Sequence, residues 1–313
     1  MSMMSPPTPA SFAIFAQLLK RHAGLNLRPE KSYLLAARLS SILRREDNIT
    51  LDALAVRLTG AEPGLMALER EIVEAMLNHE TFFFRDILPF EELERSVYPR
   101  LKTARAASRR ISIWCAACAT GQEPFSIAIQ LAEQRAPWTG WDVDILASDI
   151  SHRALARAKS GAYTQFEVQR GLSTERLLMH FNKEGESWRI LDDIRRRVRF
   201  EQRNLCAAPP PGRKFDIVFA RNVLMYLGKE EKARALDNLR RSLADDGVLI
   251  LGAAETVFGQ ADIFHPDQTC RGYYAPVIPG VTPKSTTAGP RPYGSRTDAH
   301  PSGLSPPART AAR

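Results

Sequence analysis

The chain has 313 residues, of which 44% are apolar and 25% charged, a composition that suits a soluble globular protein of two modest domains. It has no run near the ~20 apolar residues of a membrane span, and its start, MSMMSPPTPASF, lacks the basic and apolar regions of a secretory leader, so membrane insertion is excluded and a cytoplasmic location expected. The four scattered cysteines, Cys115, Cys118, Cys206 and Cys270, exclude a disulfide framework, and the net charge of +8 favours an acidic partner surface without singling out nucleic acid.

Phe12, Phe15, Leu18 and Leu19 recur at helical spacing, as do Tyr33, Leu34, Ala37, Leu39, Ile42 and Leu43. Thr50 to Leu54 carries a capping-type start, and Leu65 to Leu77 forms a further amphipathic pattern after the Gly60–Gly64 turn. These predict a small all-helical domain over 12–85, behind a flexible stretch at 1–11. Lys31, Arg38, Arg44 and Arg45 lie on or beside the second helix and offer either a solvated face or a docking surface for an acidic helix bundle. The stretch Asn78 to Asp86, NHETFFFRD, then runs from a polar cluster into three aromatics that require burial, which holds Thr81 and Arg85 at the mouth of a site.

A helix over Phe90 to Leu101 leads to the stretch that organises the chain, RISIWCAACATGQEPFSIAIQL. It reads as a buried strand, a loop of small residues ending at Gly121, and a helix carrying Glu123 and Pro124 in its first turn. Such a junction brings backbone N–H groups and a helix N-terminus to the carboxyl edge of a sheet, where nucleotide-like ligands bind. The next strand ends in Ser148-Asp149, so a carboxylate able to accept both hydroxyls of a ribose emerges at that edge.

Ser151 caps a helix ended by Gly161, and Ser173 starts another. Phe181 to Leu191 and Val198 to Phe200 read as short strands of an antiparallel insertion at about 179–203, with Arg197 and Arg199 facing outward. After Asn204-Leu205 and a Pro-rich loop, the apolar run Phe215 to Ala220 predicts a buried parallel strand ending in Arg221-Asn222. A helix from Lys229, a strand from Val248 and an edge strand at Thr269 to Ala275 complete an α/β sheet domain over 86–278. From 279 to 313 the composition lacks large apolar residues and predicts disorder.

Three stretches in this order, NHETFFFRD, then IWCAACATGQEPFSIAI with LASDIS, then FDIVFARNVLMYL, resemble the CheR family, the S-adenosylmethionine-dependent protein-glutamate O-methyltransferases of bacterial chemotaxis. The resemblance covers roughly Phe12 to Pro276. It implies an all-helical N-terminal domain joined to a Rossmann-like class I methyltransferase domain with a small antiparallel β-subdomain. It also implies S-adenosylmethionine as cofactor, S-adenosylhomocysteine as product, and chemoreceptors as protein substrates, met through the acidic methylation helices of their cytoplasmic bundle. A monomer is expected, with no metal and no nucleic acid.

Carried over residue by residue, the family's cofactor contacts fall on Thr81, Arg85, Glu123, Asp149, Asn204, Leu205, Arg221 and Asn222. Many relatives have Asn two residues before the Thr; here that place holds His79 and the Asn is Asn78, so both are candidates. The family credits Arg85 and Tyr226 with placing the substrate carboxylate. The resemblance gives Asp149 to the ribose, Glu123 to the cationic methionine end and Leu205 to the adenine. A glutamate with a pKa near ~4.3 is already an anion at neutral pH, so the missing Ser/His/Asp constellation is no objection. In family members that grip a C-terminal receptor peptide, the β-subdomain loop is longer and glycine-rich; here Asn182 to Ser187 contains one glycine. This predicts direct recognition of the methylation helices, through Arg38, Arg44 and Arg45.

Two other classes are open to the residues alone. Trp114-Cys115-Ala116-Ala117-Cys118 has the outline of a thioredoxin-type motif, although Cys115 ends a strand and does not start a helix. The arginines from Arg195 to Arg203 suggest nucleic-acid binding, but Arg221-Asn222-Val223 stands where amino-directed nucleic-acid methyltransferases often carry Asn/Asp-Pro-Pro-Tyr/Phe.

Overall fold

The computed structural model describes residues 6–278 apart from positions 62, 213, 258, 260, 261, 268, 269 and 271, together with residue 280. The disorder expected over 279–313 therefore concerns positions that lie, residue 280 excepted, outside the described residues.

Four helices come first: α1 (Pro9–Ala23), α2 (Tyr33–Arg45), α3 (Leu51–Leu58) and α4 (Leu65–Met76). Helix α1 begins ahead of the expected Phe12 because Thr8 caps it, accepting from Ser11 N–H at 3.3 Å and donating its hydroxyl to Asp52 Oδ1 at 2.8 Å. Pro9, whose missing N–H is not needed at a helix start, stands at its head. The expectation of flexibility through residue 11 is thus corrected from Thr8 onward. Phe15, Leu35, Leu39, Leu54 and Ile72 fill the helical core.

Phe83 and Phe84, by contrast, belong to the core of the sheet domain, so the helical unit ends near Leu77 and not at residue 85. Gly171 makes room for the aromatic stretch: a Cβ there would lie 1.8 Å from the Phe83 carbonyl oxygen. Helices α5 (Leu88–Glu92) and α6 (Tyr98–Ala104), joined by a π-helical turn, lead into β1 (Arg110–Ala116), all of it buried except Arg110. Then follow α7 (Gln122–Glu133), α8 (Arg135–Trp138), β2 (Asp142–Asp149), α9 (His152–Ser160), β3 (Ala162–Thr164), α10 (Gln165–Gln169) and α11 (Thr174–His180). The chain continues through β4 (Phe181–Glu184), β5 (Ser187–Ile190), α12 (Asp192–Arg195), β6 (Val198–Gln202), β7 (Phe215–Ala220), α13 (Lys229–Ser242), β8 (Leu243–Leu251), β9 (Phe264–Pro266) and β10 (Tyr273–Pro276).

The main sheet has the order β6-β2-β1-β7-β8-β10-β9. It is parallel from β6 to β8, and β10 runs antiparallel to β8 and β9. Strand β1 pairs with β2 on one side and β7 on the other, so the order reverses there, and the crevice beyond its carboxyl end is the place where such sheets bind ligands.

The small antiparallel sheet has the order β3-β5-β4. This corrects the expected insertion: Val198 to Phe200 join the main sheet beside β2, and the third strand of the small sheet is Ala162–Thr164. A short alternating strand encodes which face is buried but not which neighbour it pairs with. The β4–β5 connection is a two-residue turn at Gly185-Glu186.

The expected basic face is corrected as well. The Arg38 guanidinium turns to the end of α4 and donates to the carbonyls of Met76 and Leu77 at 2.6 and 3.0 Å, satisfying acceptors that a helix terminus leaves open. Arg45 pairs with Glu46 and Glu71, which leaves Arg44 exposed as the remaining cation of that trio. On the far edge, Arg195 pairs with Asp192, and Arg199 and Arg203 with Glu201, so the outward arginines are largely matched by carboxylates.

Candidate active site

The loop after β1 carries the site. Ala117, Ala119 and Gly121 all have positive φ, at 60°, 48° and 94°. At Gly121 a Cβ would stand 2.9 Å from the Ala158 Cβ, so helix α7 can begin there only with glycine. For alanine this conformation costs ~1–3 kcal/mol and persists only where neighbours enforce it. Asp149 enforces it: its Oδ2 accepts the Ala119 N–H at 2.8 Å while its Oδ1 accepts the Ser151 N–H at 2.9 Å. The side chain is buried, and burial pushes its carboxyl above the ordinary range against the pull of those two amides.

A cavity of about 350 Å³ opens at this edge, within the ~300–1,000 Å³ of small-molecule sites. Asp149 and Glu123 line it, with Asn78, His79, Thr81 and Arg85 from the aromatic stretch. Asn204 and Leu205 line it as well, as do Arg221, Asn222 and Tyr226 from the loop after β7. Eleven residues singled out from the sequence therefore meet in one cavity.

Asn78 and His79 divide the site between them. The Asn78 amide donates to the Tyr226 hydroxyl at 2.7 Å, which leaves the phenolic hydrogen free to donate elsewhere. His79 lies near enough to Asp149 to draw its carboxyl down, and its Nε2 is buried without a protein partner. The Asn222 Oδ1 is likewise buried and unpartnered. Buried polar atoms are rarely left unmatched, so both fit a polar ligand in the cavity. Asn204, by contrast, spends its amide within the protein: Nδ2 donates to the His22 carbonyl at 3.0 Å and Oδ1 accepts the Cys206 N–H at 2.9 Å.

Arg221 is buried, with its side chain 2% exposed, and bridges the two ends. It donates to Glu123 at 3.2 Å, to the Arg85 carbonyl at 2.9 Å and to Asp86 at 2.6 Å. Burial pushes the Glu123 carboxyl up, and the Arg221 guanidinium opposes that rise. Arg85 lies over the Phe82 ring at 5.4 Å and donates to the Glu80 carbonyl at 3.0 Å.

Residues 79–272 match the family model described as CheR methyltransferase, SAM binding domain, and residues 10–73 match the one described as CheR methyltransferase, all-alpha domain. The chain belongs to the CheR methyltransferase family. It is 36% identical over 267 residues to chemotaxis protein methyltransferase 1 of Pseudomonas aeruginosa, covering 84% of this chain and 96% of the relative. The chemotaxis protein methyltransferase of Vibrio anguillarum is 37% identical over 254 residues, with 80% of this chain and 90% of the relative covered. Chemotaxis protein methyltransferase Cher2 of Pseudomonas putida is 34% identical over 265 residues, with 83% and 95% covered. S-adenosylmethionine is the cofactor of this protein, and the cavity is lined by residues of its SAM binding domain together with residues of its all-alpha domain. No helix among the described residues is long and apolar enough to cross a membrane.

The residues present fit that cofactor. Glu123 offers a carboxylate to a cationic amino group, Asp149 retains a lone pair on each oxygen for ribose hydroxyls, and Leu205 supplies an apolar wall. The thioredoxin-type reading fails on burial: Cys115 and Cys118 are both enclosed, and burial pushes both thiols well up, the reverse of a reactive thiolate.

Two contributors to this CheR site escaped the sequence. Glu255, 5% exposed, accepts four main-chain N–H groups, those of Asn222, Leu224, Met225 and Gly252, and so shapes the loop that carries Arg221 to Tyr226. The helical domain closes the cavity with Leu19, Leu25, Asn26, Leu27 and Leu34. It is tied down by an Asn26 N–H to Tyr226 carbonyl bond of 2.8 Å and a bridge between Leu25 and Leu227. Only the Gly24 helix stop, at φ 70°, hinted at a turn there.

Proposed function

We propose that this methyltransferase esterifies glutamate side chains of chemoreceptors, taking the methyl group from S-adenosylmethionine, and that it works as a cytoplasmic monomer on the acidic methylation helices of the receptor bundle. The observation that carries the reading is the sharing of one cavity by Arg85 and Tyr226 with Glu123 and Asp149. Anion-gripping groups and a cofactor-type acidic pair then face the same space.

When bound, the cofactor supplies an electrophilic methyl group on a sulfonium. The protein's work is positional. Arg85 offers a guanidinium fork to the incoming carboxylate, and Tyr226, with its oxygen already accepting from Asn78, donates its hydrogen to the same group. Alignment of this kind is worth up to ~7–11 kcal/mol of barrier in favourable cases, and a glutamate that is already ionised needs no general base. The helical domain walls one side of the cavity with Leu19, Leu25, Leu27 and Leu34.

The two-residue β4–β5 turn supports recognition of the methylation helices without a C-terminal receptor tether, since a tight hairpin leaves little backbone to wrap a peptide. Transfer of tritiated methyl groups into chemoreceptor preparations, followed by base-labile release of methanol, tests the reading. Label that is stable to base, or that appears in nucleic acid and not in receptor, refutes it.

A further inference from the structure

Asp86 belongs to none of the positions carried over from the family, yet it ends the ionic chain that runs through the site. Its carboxylate accepts from Arg221 Nη2 at 2.6 Å, and the same nitrogen donates to the Arg85 carbonyl at 2.9 Å. From its other end nitrogen Arg221 reaches Glu123 at 3.2 Å. The guanidinium is buried while Asp86 is 43% exposed, so one protected cation is shared between an outer and an inner carboxylate. The backbone is strained at the same place: Phe84, Asp86 and Ile87 have φ of 50°, 66° and 33°. An isoleucine in that region is a true outlier, of the kind that clusters where a site is held in a fixed shape.

The charges explain the arrangement. Without Asp86, Arg221 would pair with Glu123 alone and compete for the charge that a cationic amino group needs. With Asp86 present, two carboxylates share the Arg221 guanidinium, which spends less of its charge on Glu123. We propose that Asp86 is a positioning residue: through Arg221 it fixes the main chain of Arg85, and it leaves the Glu123 carboxylate available to the amino end of the cofactor. This rests on the cofactor and acceptor ends assigned above.

Asp86→Asn isolates the charge. Asparagine keeps the shape, still accepts from Arg221, and tolerates the left-handed backbone as aspartate does. A charge-assisted bond becomes a neutral one, so the dissociation constant for S-adenosylhomocysteine rises by about tenfold. The pH midpoint of that binding moves down, because Arg221 now acts wholly on Glu123. The other ionisable groups that act on Glu123 or that it acts on, Arg85, Glu255, Cys115 and Cys118, are unchanged by the substitution. The KM for the receptor rises with it, as the main chain of Arg85 is held less firmly.

Calorimetry of S-adenosylhomocysteine binding across pH, with KM and kcat measured alongside, reads all three effects. Asp86→Glu restores part of the affinity if charge is what matters. Binding and pH midpoint as in the wild type for Asp86→Asn overturn the proposal. Tighter binding, or an unmoved midpoint with a tenfold weaker constant, overturns it too. A wild-type protein that binds no S-adenosylhomocysteine would instead defeat the cofactor reading itself, so the two failures are distinguishable.

Discussion

Replacing Glu255 by glutamine asks whether charge holds the loop from Arg221 to Tyr226 in place. Its Oε2 accepts from Asn222 at 2.6 Å and Gly252 at 2.9 Å, and its Oε1 accepts from Leu224 at 2.7 Å and Met225 at 3.3 Å. Glutamine has the same outline, but one end of its amide is an NH2 group that accepts nothing. Whichever way it turns, two main-chain donors face a third donor inside the protein. Two bonds to a charged acceptor at ~1.5–3 kcal/mol each put the loss at ~3–6 kcal/mol, and the long Met225 contact favours the lower half of that range. This is a large part of the ~5–15 kcal/mol that stabilises a typical domain. With an m-value of ~2–3 kcal/mol/M, the urea midpoint of Glu255→Gln should fall by roughly 1–2 M. Turnover should fall as well, since Tyr226 sits on the same loop. Circular dichroism in a urea series, with methyl transfer at low temperature where the variant is folded, checks both. A wild-type midpoint together with wild-type turnover would refute the amide-cradle argument.

Tyr226→Phe removes the hydroxyl that Asn78 holds, so turnover should drop by about ten- to a hundredfold, the loss of one or two hydrogen bonds, while S-adenosylhomocysteine binding stays nearly intact; steady-state kinetics beside calorimetry separates the two. Asp149→Ala removes the anchor of the Ala119 turn as well as a ribose acceptor and should weaken cofactor binding by more than about tenfold; calorimetry giving wild-type affinity would take Asp149 out of the site. Burial raises the Glu123 carboxyl above its ordinary 4.5, so as pH rises through that window the free protein takes on a buried charge and loses stability, whereas a bound cation lowers the pKa again; affinity should therefore climb with pH through the window and level off above it, with protons released inside it. Calorimetry in two buffers of different ionisation enthalpy measures that release, and a pH-independent affinity counts against Glu123 as the partner of the amino group. Arg38→Glu should lower thermal stability, because Arg38 holds the end of α4, and leave the salt dependence of receptor methylation unchanged; a stable variant with altered salt dependence would return Arg38 to a docking face.

The sheet edge was legible in the sequence because each of its parts carries a local signal. A buried strand, a glycine that no other residue can replace at φ 94°, and an acid at the end of the next strand are all statements about short stretches of chain. What failed were statements about partnership. Val198 and Phe200 were read correctly as a strand with one buried face, but a period of two says nothing about whether β2 or β5 lies alongside. Arg38 and Arg45 leave a solvated face and a docking surface both open in the sequence, because a charge on a helix surface serves either; a guanidinium on α2 that caps α4 leaves no mark there, since the carbonyls it meets belong to every residue type.

The same reasoning explains why the helical domain's part in the site was not foreseen. Leu25 and Asn26 meet the Tyr226 loop through main-chain atoms, in a bridge to Leu227 and a bond to the Tyr226 carbonyl. Backbone pairing is indifferent to side-chain identity, so it can join segments two hundred residues apart without any pattern in either. The consequence is functional. Tyr226 is fixed by Asn78, just past the last helix of the helical domain, at its hydroxyl and by Asn26, in the turn after α1, at its carbonyl. Anything that shifts the helical domain against the sheet therefore shifts the hydroxyl that would meet the substrate carboxylate. Residues of the helical domain also wall the cavity beside Leu205, so under the proposed roles cofactor retention and acceptor placement would depend on the same contact between domains.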